Sequence, residues 1–374
     1  MMVDPAADLS EPWRGLAGQV LANCRRSDAE VAGRFSLCGL LLRLRNLYKW
    51  EQGLPPWQEP EPAAALEWVG QREDLWLEIL EEEPQPLSLN GQVFDPFDAA
   101  GVNAALAGQG LVYGAGRAGG LLPVFFLGRL ESRQQVEGQE VTCLGAELGR
   151  DIFFLPGLRQ DGQIYLRPEP LGFLLWDKLA DPRASLAPFL DLALAGHGLR
   201  RQELLAHPSW EAFTPLLRGE LDTVLWHELG EADSGETARD LMLWALEQYP
   251  ASDLEHFVRG VKDLLADTGP RGRLARIIAA RAVGNLGFYP AWLAGFPRLL
   301  FPEADAAILQ FARDGDWSGV EEVRRLGWER GCEALARLAD LAGSGLAPEL
   351  ILDRARREII APLTGGRTPP PRPD

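Results

Sequence analysis

The chain has no uninterrupted apolar run of the roughly 18 residues that a membrane-spanning helix needs. Its richest stretch of leucine, residues 37–47, is broken by Arg43 and Arg45. Near the start it has no basic segment followed by an apolar core; Asp4 and Asp8 stand there instead, so no secretory signal is readable. Cysteine is scarce and scattered: Cys24, Cys38, Cys143 and Cys332 form no Cys-x-x-Cys pair, which argues against a knuckle-type zinc site. Positive charge is also in deficit. With 37 basic against 54 acidic residues in 374, the net charge is −17, and such a surface repels the phosphate backbone of a nucleic acid. There is no Gly-x-Ser-x-Gly elbow, no P-loop lysine and no neighbouring Cys/His pair, so nucleophilic hydrolase and NTPase readings have no support. The expectation is a soluble, cytoplasmic protein whose cysteines act as small buried hydrophobes.

What is present is an ordinary globular composition, 46% hydrophobic and 24% charged, over a length suited to about two to three domains. Helical spacing of leucines predicts a helix over 28–49, capped by Ser27 or Asp28, and a second over 63–83. The Pro55-Pro56 segment separates them. Asn90-Gly91 marks a hairpin, and strand character follows at 111–113, 122–130, 140–144 and 163–167, with helices over 98–107 and 169–180. After Pro182 strand signals almost vanish. Helical periods recur at 186–195, 199–206, 209–231, 236–248, 252–267, 271–286, 303–313, 318–342 and 347–361, with breaks at Pro208, Pro250, Pro290 and Gly315, among others. The fold class is therefore α+β: a mixed half over 1–183 with a small antiparallel sheet, an all-α helical bundle over 184–362, and a Pro-rich disordered tail over 363–374.

Three groups of residues carry chemical signals. Gly114-Ala115-Gly116-Arg117-Ala118-Gly119 matches the spacing of a dinucleotide-binding loop and follows the apolar Leu111-Val112-Tyr113. That chemistry needs a helix next, whose N-terminal amides hold the pyrophosphate; the residues that follow read as a strand, so a glycine-rich turn or a close backbone approach is the plainer reading. Arg34, Arg43, Arg45, Tyr113, Arg117, Arg150, Asp151 and Asp177 form a second polar set. Arginines beside glycine loops can grip carboxylates or phosphates, but an Arg–Asp pair such as Arg150-Asp151 serves equally as internal glue, and that reading is favoured.

The third group is Trp226-His227-Glu228-Leu229-Gly230-Glu231. His227 and Glu231, four apart, share a helix face, as one half of a helical metal site would require. All four histidines, His197, His207, His227 and His256, lie early in the helical half, and Glu220, Glu236, Glu255 and Asp263 are available oxygen donors. The favoured reading is a surface or capping histidine; convergence of three or more imidazole and carboxylate groups on one point would turn it toward metal-dependent catalysis. Of 12 tryptophans most fall among apolar helical residues and read as core, while Trp50 and Trp57, flanking Pro55-Pro56, are candidates for a groove or an interface with a protein partner or a second copy. Glu81-Glu82-Glu83 reads as a solvated helix end.

Several stretches resemble a family of uncharacterised bacterial proteins with an N-terminal and a C-terminal domain, seen mainly in sulfate- and metal-reducing lineages. They are Leu37-Cys38-Gly39, Arg43 through Glu51, Tyr113 through Gly116, Arg150-Asp151, Trp226 through Glu231, Val261 through Asp267, and Leu300 through Glu303. The resemblance implies the two-part division and no activity, cofactor or catalytic residue. On residues alone the chain reads as a binding or scaffold protein. The alternatives are a metal-dependent enzyme centred on His227, Glu228, Glu231 and His256, and a nucleotide or small-molecule binder using Tyr113, Gly114, Gly116, Arg117, Arg150 and Asp151.

Overall fold

The structure, a computed structural model, describes residues 9–118, 121–160, 162–181 and 183–365. Gly119 of the glycine-rich loop, Pro182 and the tail from residue 366 lie outside the described residues. The chain packs as two units, one ending at Asp177 and the other beginning at Lys178.

The first unit holds α1 (Trp13–Ala32), α2 (Leu37–Glu51), α3 (Pro62–Ile79), β1 (Leu87–Leu89), β2 (Gln92–Phe94), α4 (Ala99–Ala105), β3 (Leu111–Ala118), β4 (Leu122–Val136), β5 (Gln139–Arg150), β6 (Gly157–Gln160), β7 (Gln163–Leu166) and most of α5 (Pro168–Leu179). Asn90 and Gly91, both at positive φ, close the β1–β2 hairpin, as their residue types favour. The main sheet runs β3-β4-β5-β7-β6 and is antiparallel except for the parallel β5–β7 pair, so the expected antiparallel sheet is in fact mixed. Strand β4 enters the sheet buried on both faces, from Leu122 to Gly128, which explains its unbroken apolar run. Phe125 and Leu127 point with Tyr113 into a core covered by Leu16, Val20 and Cys24 of α1. Val124 and Phe126 point the other way, toward Leu144, Leu158 and Tyr165.

The helix expected over 28–49 is two helices. Ser27 and Asp28 are not caps but buried residues inside α1; Ser27 Oγ donates to the carbonyl of Pro123 (2.5 Å) and Asp28 Oδ1 accepts from the Ile152 amide (2.8 Å). The cap of α2 is Ser36, which accepts from the Gly39 amide.

The second unit is all helix: α6 (Ala187–Gly196), α7 (Arg201–Ala206), α8 (Trp210–Asp233), α9 (Gly235–Gln248), α10 (Asp253–Thr268), α11 (Arg273–Ala280), α12 (Val283–Trp292), α13 (Gly295–Leu300), α14 (Glu303–Asp314), α15 (Trp317–Ala342), α16 (Pro348–Arg354), a π-helical turn over Ala355–Ile360, and α17 (Ala361–Thr364). The helix expected over 271–286 breaks at Arg281, in the left-handed region (φ 52°), while Pro290, expected as a break, lies inside α12. The central element is α10, which packs against α8, α9, α11, α13 and α15 and buries nearly every apolar residue it has. No helix among the described residues is long and apolar enough to cross a membrane.

Candidate functional site

Helices α8 and α10 cross at Gly230. A Cβ there would lie 2.2 Å from the carbonyl oxygen of Ala266, so only glycine lets the two backbones come this close. The crossing sets His227 and Glu231 of α8, one turn apart on one face, against Asp263 and Asp267 of α10, also one turn apart. One nitrogen of His227 and one oxygen each of Glu231 and Asp263 lie within 4.8 Å of one another, in a half-buried notch. Three of the imidazole and carboxylate groups of the helical half are thus neighbours at this crossing.

The geometry is directional. His227 Nδ1 is 2.8 Å from Asp267 Oδ1, so the buried Asp267 carboxylate accepts the Nδ1 proton and leaves Nε2 facing Glu231 Oε1 at 3.5 Å. Two donor atoms each about 2.1 Å from one ion at a tetrahedral angle stand roughly 3.4 Å apart, so this pair is spaced as ligands are. The other oxygen of Glu231 is held by Lys262 Nζ at 2.7 Å. Arg273 of α11 secures Asp267 from behind at 3.3 Å and donates through the same Nε to the Thr223 carbonyl at 3.1 Å.

The proton affinities reflect crowding of negative charge. Desolvation alone would discharge His227, but the Asp267 carboxylate beside it overcomes that and lifts the imidazole to about 10. Desolvation and the neighbouring Glu231 charge raise Glu228 to about 7. Asp263 is pushed up by desolvation, with the Glu231 charge adding to it. Glu231 goes the other way: despite desolvation, the Lys262 ammonium and the His227 imidazole hold it far below the usual carboxylate range.

Of the residues singled out from sequence, the structure brings together His227 and Glu231, adds Asp263 from the pool of oxygen donors, and places Glu228 beside them. It does not bring His256. That residue stands in the first turn of α10, seven residues or about 10 Å before Asp263, with Nε2 3.5 Å from Glu255. Lys262 and Asp267 stand in the sequence only as part of the Val261–Asp267 resemblance, and Arg273 only in a candidate basic patch with Arg271 and Arg276; the i, i+4 relation of Asp263 to Asp267 is the signal that points to the site.

The candidates in the other half are placed differently. Tyr113, Gly114, Gly116 and Arg117 lie within strand β3, hydrogen-bonded to β4, rather than in a loop leading to a helix. Neither glycine has positive φ. Gly114 instead makes room for the Phe126 ring, which a Cβ would overlap at 1.9 Å. Tyr113 is sealed in the core, its hydroxyl donating to the Pro96 carbonyl at 2.6 Å. Arg117 stacks on Phe97, 4.6 Å from the ring centre, and donates to the Leu121 carbonyl. It lines a cleft of about 370 Å³ with Glu81, Glu82 and Glu83.

Arg150 and Asp151 are internal. Arg150 pairs with Glu147 (2.8 Å) and Glu169 (2.6 Å), and lies over Trp50, 4.8 Å from the ring centre. Arg167 clasps Glu147 with two bonds of 2.6 and 3.0 Å. Asp151 accepts the amides of Phe125 (2.9 Å) and Phe153 (3.0 Å), and burial raises its carboxyl. The basic residues Arg45 and Lys49 are likewise spent internally, on Asp177 and on Glu59.

Comparison with known proteins agrees with the two-part architecture. Residues 15–167 match the model described as the N-terminal domain of a family of unknown function (DUF6866), and residues 172–355 match its C-terminal domain. No curated protein matches the chain. No solved structure matches it either. The two matches span nearly all of the described chain, and the protein belongs to this two-domain family of unknown function.

Proposed function

We propose that the helical half carries a mononuclear divalent-metal centre, with His227 Nε2, Glu231 and Asp263 as ligands and Asp267 as the carboxylate that orients the imidazole. The observation that carries this reading is that one ring nitrogen of His227 and one oxygen each of Glu231 and Asp263 lie within 4.8 Å of one another. Charge balance supports it. Glu228, Glu231, Asp263 and Asp267 face Lys262 and Arg273, while Arg259, whose charge also reaches Asp263, is paired with Glu255; this leaves an excess of two negative charges when all four are ionised. A protonated His227 offsets one of them; a divalent ion beside neutral His227 offsets both.

A hydrogen bond from imidazole Nδ1 to a carboxylate is the usual support of a metal-bound histidine, because it fixes the tautomer and raises ligand basicity. One nitrogen and two carboxylate oxygens suit first-row divalent ions such as zinc, manganese or iron(II). Three protein ligands leave coordination positions for water or a substrate oxygen, which the ion would polarise, and Glu228 stands beside the notch as an acid–base group. The rival reading is an ion-pair network closed by Lys262 and protonated His227 alone, in which the helical half serves as a binding or scaffold surface.

The deciding experiment is elemental analysis of untagged protein, with thermal melting in zinc, manganese and iron(II). The metal reading expects about one ion per chain and a rise in Tm that His227→Ala and Asp263→Asn abolish. No bound ion, together with unchanged melting in all three metals, would leave only the ion-pair network.

A further inference from the structure

A second buried carboxylate lies on the same face of α8. Glu220 precedes His227 by seven residues, two turns or about 10 Å along the helix. It is 1% exposed. Its oxygens accept from two neutral donors of α12, Asn285 Nδ2 at 2.9 Å and Trp292 Nε1 at 2.7 Å. No cation among the described residues pairs with it. On its own helix Thr223 Oγ1 is 3.4 Å from Glu220 Oε2 while donating to the Glu220 carbonyl. From α11 the nearest charge is Arg273, whose Nε is committed to the Thr223 carbonyl and Asp267. From the end of α6 comes His197, whose ring a Cβ on Gly219 would meet at 3.1 Å; burial lowers the proton affinity of this imidazole. Lys178 lies over Trp292, 5.7 Å from the ring centre. Tyr289, between Asn285 and Trp292 on α12, is held neutral by burial and by the charge of Asp267.

Glu220 thus sits buried among neutral donors, two turns along α8 from the candidate metal ligands, with Arg273 acting on both Glu220 and Asp267. Two neutral hydrogen bonds do not make up for the lost hydration of a carboxylate. Burial accordingly raises the group to about 7. The field of a charge placed 10 Å away through protein of effective dielectric about 20 changes a proton affinity by roughly tenfold.

We propose that Glu220 is a proton-linked partner of the metal centre: loading of a divalent ion at His227, Glu231 and Asp263 expels the Glu220 proton to solvent, and protonation of Glu220 weakens metal binding to the same degree. The reciprocity is required by linkage. This inference rests on the metal centre proposed above. Its sense follows from the net charge change: a divalent ion that displaces the one proton of His227 adds one positive charge, which favours the ionised carboxylate.

The test is calorimetric titration of zinc into the untagged full chain in two buffers of different ionisation enthalpy, which counts protons released per ion. Wild type is expected to release about half a proton more than Glu220→Gln at pH 6.5, with the difference gone at pH 9. Should Glu220→Gln fail to fold, Trp292→Phe serves instead. Losing one donor raises the proton affinity of Glu220, so the pH of greatest extra release moves upward. Equal proton counts in wild type and Glu220→Gln, or no movement in Trp292→Phe, overturn this inference and leave the metal centre standing. No zinc binding by wild type at any pH overturns both.

Discussion

In the α+β half Glu147 sits fully out of solvent between two arginines, while in the helical half Glu231 shares a half-open notch with an imidazole, an ammonium and two aspartates. Both are charged clusters, but their balance differs. Around Glu147 every acid has a dedicated partner: guanidinium groups hold Glu147 and Glu169, and backbone amides hold Asp151 and Asp28. Around Glu231 acids outnumber the Lys262 and Arg273 cations, and one oxygen each of Glu231 and Asp263 lies within 4.8 Å of a single His227 ring nitrogen. A closed cluster rigidifies a core; an open one retains capacity for another cation. The comparison shows why buried charge alone does not mark a site, and why the count of donors against acceptors does.

Removing one member of the closed cluster gives the largest expected effect. Glu147→Ala leaves Arg167 buried without its two bonds, and a loss of about 3–5 kcal/mol in urea unfolding is expected. Uptake of zinc by the helical half should be unaffected in whatever fraction folds.

The next effect is a pH dependence of stability from Glu220. Its folded-state proton affinity, about 7, exceeds the ordinary carboxylate value of 4.5. The folded state therefore binds the proton more tightly, and the stabilisation present in acid is lost as pH rises toward 7. Between pH 5 and pH 8 the wild type should lose about 2–3 kcal/mol that Glu220→Gln does not lose, measured by urea unfolding at both values.

A smaller effect is expected at the helix crossing. Gly230→Ala places a Cβ against the Ala266 backbone, which cannot yield as a flexible side chain would. About 1–3 kcal/mol of destabilisation should accompany a parallel loss of metal affinity, since α8 must move off α10. The smallest effect belongs to His256→Ala, which should leave zinc uptake unchanged, because this imidazole lies two helical turns from Asp263. A loss of uptake in His256→Ala would redraw the ligand set.

Much of the fold was legible because local rules governed it. The Asn90-Gly91 hairpin, the apolar run of β4 and the amphipathic periods of the second half follow from residue type and spacing. The first helix was not legible: Asn23, Ser27 and Asp28 look like cap and loop residues, yet each is buried and bonded to a distant segment, Asn23 reaching the backbone of Gln85 in both directions. The break between α11 and α12 carries no glycine or proline, only Arg281 at positive φ, so nothing local announces it. At the candidate site, four-residue spacing made His227 and Glu231 visible as a pair. Asp263 was one acid among many until Gly230 brought α10 against α8. The roles of Asp267 and Arg273 exist only across that crossing.

The most direct test of the metal centre is anomalous diffraction at the manganese edge from crystals of the untagged chain grown with manganese. One peak is expected within about 2.2 Å of His227 Nε2, Glu231 and Asp263, with Asp267 still on Nδ1. Clear density for those side chains with no peak among them, and Lys262 and protonated His227 closing the network, would contradict it.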